Sequence, residues 1–119
     1  MGDDRLSIRI VDGERPGEQI VVAEGVLNTE TAFRLRDSVR NRRADNLVID
    51  MTGVRSVDST GLGVLIGIYA SCERDCRRLL LAGVNERIWS VFRTCKVEAL
   101  FTRYPSVADA ERTIPTAAG

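Results

Sequence analysis

With 119 residues, 44% of them hydrophobic, the chain is long enough to close one hydrophobic core without disulfides or a structural metal. Seventeen basic residues balance seventeen acidic ones, which leaves no electrostatic footprint for direct binding of nucleic acid. Histidine is absent, so the usual general base at neutral pH is missing, Ser/His and Cys/His nucleophile pairs are ruled out, and the three cysteines lack the further ligands of a metal site. No apolar run approaches a membrane span, and the opening Met1-Gly2-Asp3-Asp4-Arg5 has no signal-peptide apolar region. A cytoplasmic protein without cofactor or metal is expected.

Leu6, Ile8 and Ile10 alternate with polar residues, the period of a half-buried strand. Gly13-Glu14-Arg15-Pro16-Gly17 reads as a turn. Residues 19–24, centred on Ile20-Val21-Val22, predict a second strand ending at Gly25. Asn28 or Thr29 can cap a first helix whose inward stripe is Ala32, Leu35 and Val39. Its other faces carry Arg34, Arg36, Arg40, Arg42 and Arg43, read mainly as a solvated surface. Residues 47–51 form a continuous apolar strand of the kind found inside a parallel sheet.

A helix-like segment then runs from Leu62 towards Cys76. Leu62, Leu65, Ile66, Tyr69, Cys72 and Cys76 gather on the side that must face the sheet. Thr60, Val64, Gly67, Ser71 and Arg74 gather on the other. A solvated helix would place Lys, Glu or Gln at such outer positions, and Gly63 and Gly67 each cost roughly 1 kcal/mol against alanine inside a helix. Something is expected to approach this face closely, either a neighbouring segment of the chain or a partner.

Leu79-Leu80-Leu81-Ala82 repeats the buried-strand pattern, and Asn85 caps a third helix with Ile88, Val91, Phe92 and Cys95 on one stripe. The cysteines read as small core-filling thiols. A weaker strand is expected at 99–102. A short helix after Pro105 carries Val107, Ala110 and Ile114, and residues 115–119 are expected to fray. Strands separated by helices predict right-handed crossovers in one α/β domain over residues 1–119, with a largely parallel sheet of four to five strands and about four helices.

The stretch Asp58-Ser59-Thr60-Gly61-Leu62-Gly63 stands where a strand gives way to a helix. Helix starts have unpaired N–H groups and a positive dipole end, so a serine there is either a cap or a place where a phosphate can be accepted. Asp58 is suited to cap or orient the turn. Gly61, Gly63 and Gly67 could also sketch a dinucleotide fingerprint. The third glycine is displaced by one, however, and the next strand ends Leu81-Ala82-Gly83-Val84-Asn85 without a carboxylate for a ribose. A nucleotide-binding protein is the lowest-ranked reading.

Residues 47–51 leading through Val57 to Asp58-Ser59-Thr60-Gly61-Leu62-Gly63-Val64 resemble the STAS domain, and closest the bacterial anti-sigma factor antagonists. Glu24-Gly25-Val26-Leu27 and the strand from Leu79 to Gly83 extend the resemblance over nearly the whole chain. It implies a regulatory binding protein rather than an enzyme, with an anti-sigma factor of serine-kinase activity and a metal-dependent serine phosphatase as partners. Ser59 matches the phosphoacceptor, with Asn28, Asp58, Thr60, Gly61 and Gly63 in supporting positions. In such proteins the unmodified form binds the anti-sigma factor and frees the sigma factor. The outer face of Thr60, Val64, Gly67 and Ser71 is then the expected interface of a monomer. Asn28 departs from the family, which often has an aspartate there; asparagine can cap a helix but brings no charge to a kinase, metal or phosphate. The alternative implied by the resemblance is an unmodified STAS scaffold subunit of a stress-sensing or lipid-transport complex.

Overall fold

A computed structural model describes residues 5–115. Within them the elements run β1 (Leu6–Asp12), β2 (Glu18–Leu27), α1 (Ala32–Val39), β3 (Asn46–Val57), α2 (Ser59–Arg74), β4 (Arg78–Ala82), α3 (Glu86–Thr94), a 3-10 turn (Glu98–Leu100), β5 (Thr102–Tyr104) and α4 (Val107–Glu111). Of the tail expected to fray, residues 116–119 lie outside the described residues, as do residues 1–4 at the other end.

The strands stand in chain order, β1-β2-β3-β4-β5, with β1 antiparallel to β2 and every later pair parallel. A parallel sheet grown in this order by right-handed crossovers places each connecting helix on the same face. Accordingly α1, α2 and α3 share one core with Leu47, Ile49 and Met51 of β3. The opposite face is closed by α4 and the turn after it, where Ala110 and Ile114 pack on Ile20, Val48 and Leu80. Alternate residues of β3 therefore serve both cores, which is why its apolar run is unbroken. No helix among the described residues is long and apolar enough to cross a membrane.

The ends of β2 and β3 and the place of β5 differ from the sequence expectations. β2 passes Gly25 and continues to Leu27, because Gly25 occupies a bulge rather than a stop. Its φ is +121°, and a Cβ there would stand 1.9 Å from the Arg5 carbonyl oxygen. β3 runs to Val57, six residues beyond the apolar run, because β2 remains beside it as a partner to the end. The last strand falls at Thr102–Tyr104 instead of 99–102, since Glu98–Leu100 winds into the 3-10 turn first.

The cysteines divide. Cys72 is buried, and burial pushes its thiol up from the ordinary range. Cys76 and Cys95 are exposed, contrary to the core-filling expectation. Helix α2 ends at Arg74, and Cys76 takes a φ of 58° just past the end. Cys76 N–H bonds the Glu73 carbonyl at 3.2 Å and Arg77 N–H the Cys72 carbonyl at 2.8 Å, the paired bonds of a Schellman ending. Cys95 is itself the C-cap of α3.

Candidate functional site

Leu27 and Val57 are partners across the parallel ladder, and Asp58 N–H donates to the Leu27 carbonyl at 3.0 Å. The turns leaving β2 and β3 are thereby held side by side. Asp58 is extended, and its Oδ1 accepts from Gly61 N–H at 2.9 Å while its carbonyl accepts from Leu62 N–H at 2.9 Å. It is the N-cap, so α2 starts at Ser59, three residues before the expected Leu62. Ser59 is exposed, and its hydroxyl has no hydrogen bond to any described residue. The cap alternative thus belongs to the neighbour, and Ser59 is left with no structural task.

Asn28 does not cap α1 directly; the residue flanking that helix is Thr31. The Asn28 Oδ1 instead accepts from Glu30 N–H at 2.9 Å and Thr31 N–H at 3.2 Å, an Asx turn that leads the chain into the helix. An aspartate oxygen would make the same bonds, so asparagine preserves the turn and omits only the charge. The next residue brings the two turns together, with the Thr29 and Thr60 hydroxyls 3.3 Å apart.

The three glycines of α2 have different reasons. A Cβ on Gly61 would lie 2.6 Å from the Leu27 carbonyl oxygen and 2.9 Å from Leu27 Cβ, so that glycine lets the helix settle on the end of β2. This packing accounts for Gly61 without a pyrophosphate. A Cβ on Gly63 or Gly67 would meet nothing within 4 Å. At these two positions no described segment closes over the face, whereas at Val64 helix α1 does.

Between α1 and α2 lies a groove of about 800 Å³ bordered by Thr60, Gly63, Gly67 and Ser71 along one side. Val64, expected on the outer face, is only 7% exposed. It forms the groove floor with Ile68, because α1 packs against that side of α2 and covers what the helical wheel left outward. Ile66 and Tyr69, expected against the sheet, are half-buried.

The side of the groove formed by α1 was missed as a site. Phe33 is 44% exposed there, beside Arg36, Arg40 and Arg43. The signal was present as an aromatic with arginines three and seven residues further on, one helical face, and Arg43 just past the helix end. Only the neighbouring helix makes that face a wall. Among the described residues no cluster of His, Cys, Asp and Glu could hold a metal ion.

A family model described as the STAS domain matches residues 9–110. The chain is 31% identical over 90 residues to an anti-sigma-B factor antagonist of Listeria monocytogenes, spanning 73% of this chain and 78% of that one. Its fold is similar to the Bacillus anti-sigma factor antagonist SpoIIAA in its unphosphorylated form, with a TM-score of 0.72 and 14% identity over 92% of this chain and all of that one. A sulfate transporter family protein of Wolinella succinogenes is equally similar in fold, with a TM-score of 0.75 and 24% identity over 87% of each chain. Fold likeness at these identities spans proteins of different work, so the sequence relative carries more weight than the shape.

Proposed function

The chain belongs to the STAS domain family, and from that premise we propose that it is an anti-sigma factor antagonist switched by phosphorylation of Ser59. The observation that carries the reading is the bare Ser59 hydroxyl, exposed at a helix start that Asp58 has already capped. In the unmodified state the anti-sigma factor packs over Ser59 and along Thr60, Gly63, Gly67 and Ser71, and the sigma factor is released. The anti-sigma factor is also the kinase: it transfers the γ-phosphoryl group of ATP to Ser59 Oγ, leaving ADP. A metal-dependent phosphatase hydrolyses the ester, returning serine and inorganic phosphate. The chain works as a cytoplasmic monomer and a binding module rather than an enzyme.

The physics of the switch is differential. Phosphate adds roughly −1.5 to −2 charges at neutral pH. The fold tolerates them, since unpaired N–H groups and the positive end of the helix dipole face that position. A partner packed there would have to bury a bulky dianion beside the Asp58 carboxylate, which costs several kcal/mol, and each 1.4 kcal/mol is tenfold in affinity. The fold survives and the complex does not.

The test incubates the chain with a candidate kinase partner and ATP, locates the label by mass spectrometry, and compares partner binding by wild type, phosphorylated protein and Ser59→Ala. Label at Ser59, lost binding on phosphorylation and retained binding by Ser59→Ala are expected. Asn28, which keeps the turn but not the charge, favours a second reading as an unmodified scaffold subunit. A partner that binds stably while Ser59 remains unlabelled would select it.

A further inference from the structure

Acidic and basic residues cancel over the whole chain, yet the groove between α1 and α2 does not share that balance. Arg36, Arg40, Arg43, Arg74 and Arg77 line it against a single aspartate, Asp75. That carboxylate is divided between Arg43 at 3.8 Å and Arg77 at 3.6 Å. Arg36 reaches only its sequence neighbour Asp37, and its guanidinium lies 4.7 Å from the centre of the Phe33 ring. Arg40 and Arg74 have no ion pair among the described residues.

Arg77 points furthest. Its side chain is 9% exposed, and its Nε is buried with no hydrogen-bond acceptor. Its Nη1 donates to the Arg42 carbonyl at 3.0 Å, so the guanidinium is held as a fixed positive charge at the groove wall. The floor is apolar, formed by Val39, Leu47, Val64 and Ile68. A ligand for this groove therefore needs apolar groups for the floor and carboxylates for the walls.

We infer that the groove receives an acidic amphipathic segment of the partner protein, its apolar side chains on the floor between the helices and its carboxylates on the arginines. That the partner is an anti-sigma factor rests on the function proposed above; the chemistry of the segment does not. A groove between two helices suits a helical segment that reads out at i, i+3, i+4 and i+7. Nucleic acid fits less well, because Phe33 is the one aromatic lining the groove and an apolar floor offers a phosphate backbone nothing. The groove ends at Thr60, one residue from Ser59, so a phosphoserine would set negative charge at the mouth of a site that holds negative charge. Phosphorylation then repels the ligand along the groove as well as blocking the helix start.

The experiment titrates the full ¹⁵N-labelled chain with a synthetic peptide of about sixteen residues, long enough to match α2, carrying leucine and glutamate at helical spacing. The same peptide with glutamine for glutamate and a single-stranded DNA of similar length are the comparisons. The acidic peptide is expected to shift the Gly63 and Gly67 amides. Its binding should weaken roughly tenfold when glutamine replaces glutamate, and by a similar factor in Arg40→Glu/Arg43→Glu. Both arginines are exposed, so that variant folds; Gly67→Leu, which fills the groove from open space, provides an independent block. Unmoved glycine amides, equal binding of the glutamine peptide, or tighter binding of the DNA overturns the inference. No kinase enters this titration, so its failure leaves labelling of Ser59 untouched, and absent labelling leaves the groove standing.

Discussion

Helices α2 and α3 are built with the same hardware and finished differently. Each follows a parallel strand and starts from a side-chain cap, Asp58 on Gly61 N–H at 2.9 Å and Asn85 on Ile88 N–H at 2.8 Å. Each ends in the same pair of bonds, through Cys76 and Arg77 in one and through Lys96 and Val97 in the other. The contrast lies at the first helical residue and outward from it. In α3 that residue is Glu86, whose carboxylate is paired with Arg93 and Arg103. Hydrogen bonding to Arg103 holds its carboxyl pKa below the usual carboxylate range. In α2 it is Ser59, unpaired, followed outward by Gly63 and Gly67 with open space above them. Capping and a buried stripe are what folding requires of both helices. The bare outer face of α2 is not needed for that, and it is where a partner can act.

The largest effect expected from this contrast is on binding. Phosphorylating Ser59 should weaken the anti-sigma complex by about a hundredfold or more, the equivalent of roughly 3 kcal/mol. Glu86→Gln, at the matching position of α3, should leave the complex within about twofold. Isothermal calorimetry on the two proteins decides this, and equal losses would erase the distinction between the helices.

Next comes Gly61→Ala against Gly67→Ala. The first drives a methyl into the Leu27 carbonyl and should cost about 1–3 kcal/mol of stability. The second meets open space and should gain about 0.5–1 kcal/mol from helix propensity. Urea midpoints measure both, and a destabilised Gly67→Ala would mean that some part of the chain does close over that face. A tighter complex with Gly67→Ala would count equally against a partner seated there.

The caps should be interchangeable in energy. Asp58→Ala and Asn85→Ala are each expected to lose about 1 kcal/mol in the same denaturation experiment. Asp58→Asn should keep most of that stability, which separates the cap from any charge that a kinase reads.

The last effect, confined to one side of the pH range, lies far from both helices. Glu18, 5% exposed beside Glu111, has its carboxyl pushed above the ordinary 4.5, chiefly by burial. A raised carboxyl means that the folded state holds the proton more tightly than the unfolded one. This contribution is complete below about pH 4.5 and is lost as pH rises through the folded value. Glu18→Gln, whose amide can donate where the carboxylate Oε2 has no partner, should gain about 1 kcal/mol at pH 7 and nothing at pH 4. Thermal melts at the two pH values check the sign.

Much of this was legible along the chain. Period-two and period-3.6 patterns marked β1, α1, α3 and α4, because half-buried elements must alternate what they bury, and a continuous apolar run marked β4. Asn85 announced its cap for the same local reason, and Asp58-Ser59 stood out as a strand-to-helix turn before any fold was known. The end of β3 was not legible, since residues 52–57 are ordered by β2 beside them rather than by their own apolar content. Nor was the burial of Val64: a helical wheel assigns a side of a helix, and only α1 turns that side inward.

The local order of residues, then, determined which segments are helix or strand and which hydroxyl sits at a helix start, because propensity, periodicity and capping act within a few residues. Tertiary structure alone decided that Gly61 is packed against the end of β2 while Gly63 and Gly67 are left open, and that the arginines in and just after α1 wall a groove. Those outcomes depend on what stands across from each residue, and distances between segments far apart in sequence are set by the packing of the sheet and its helices.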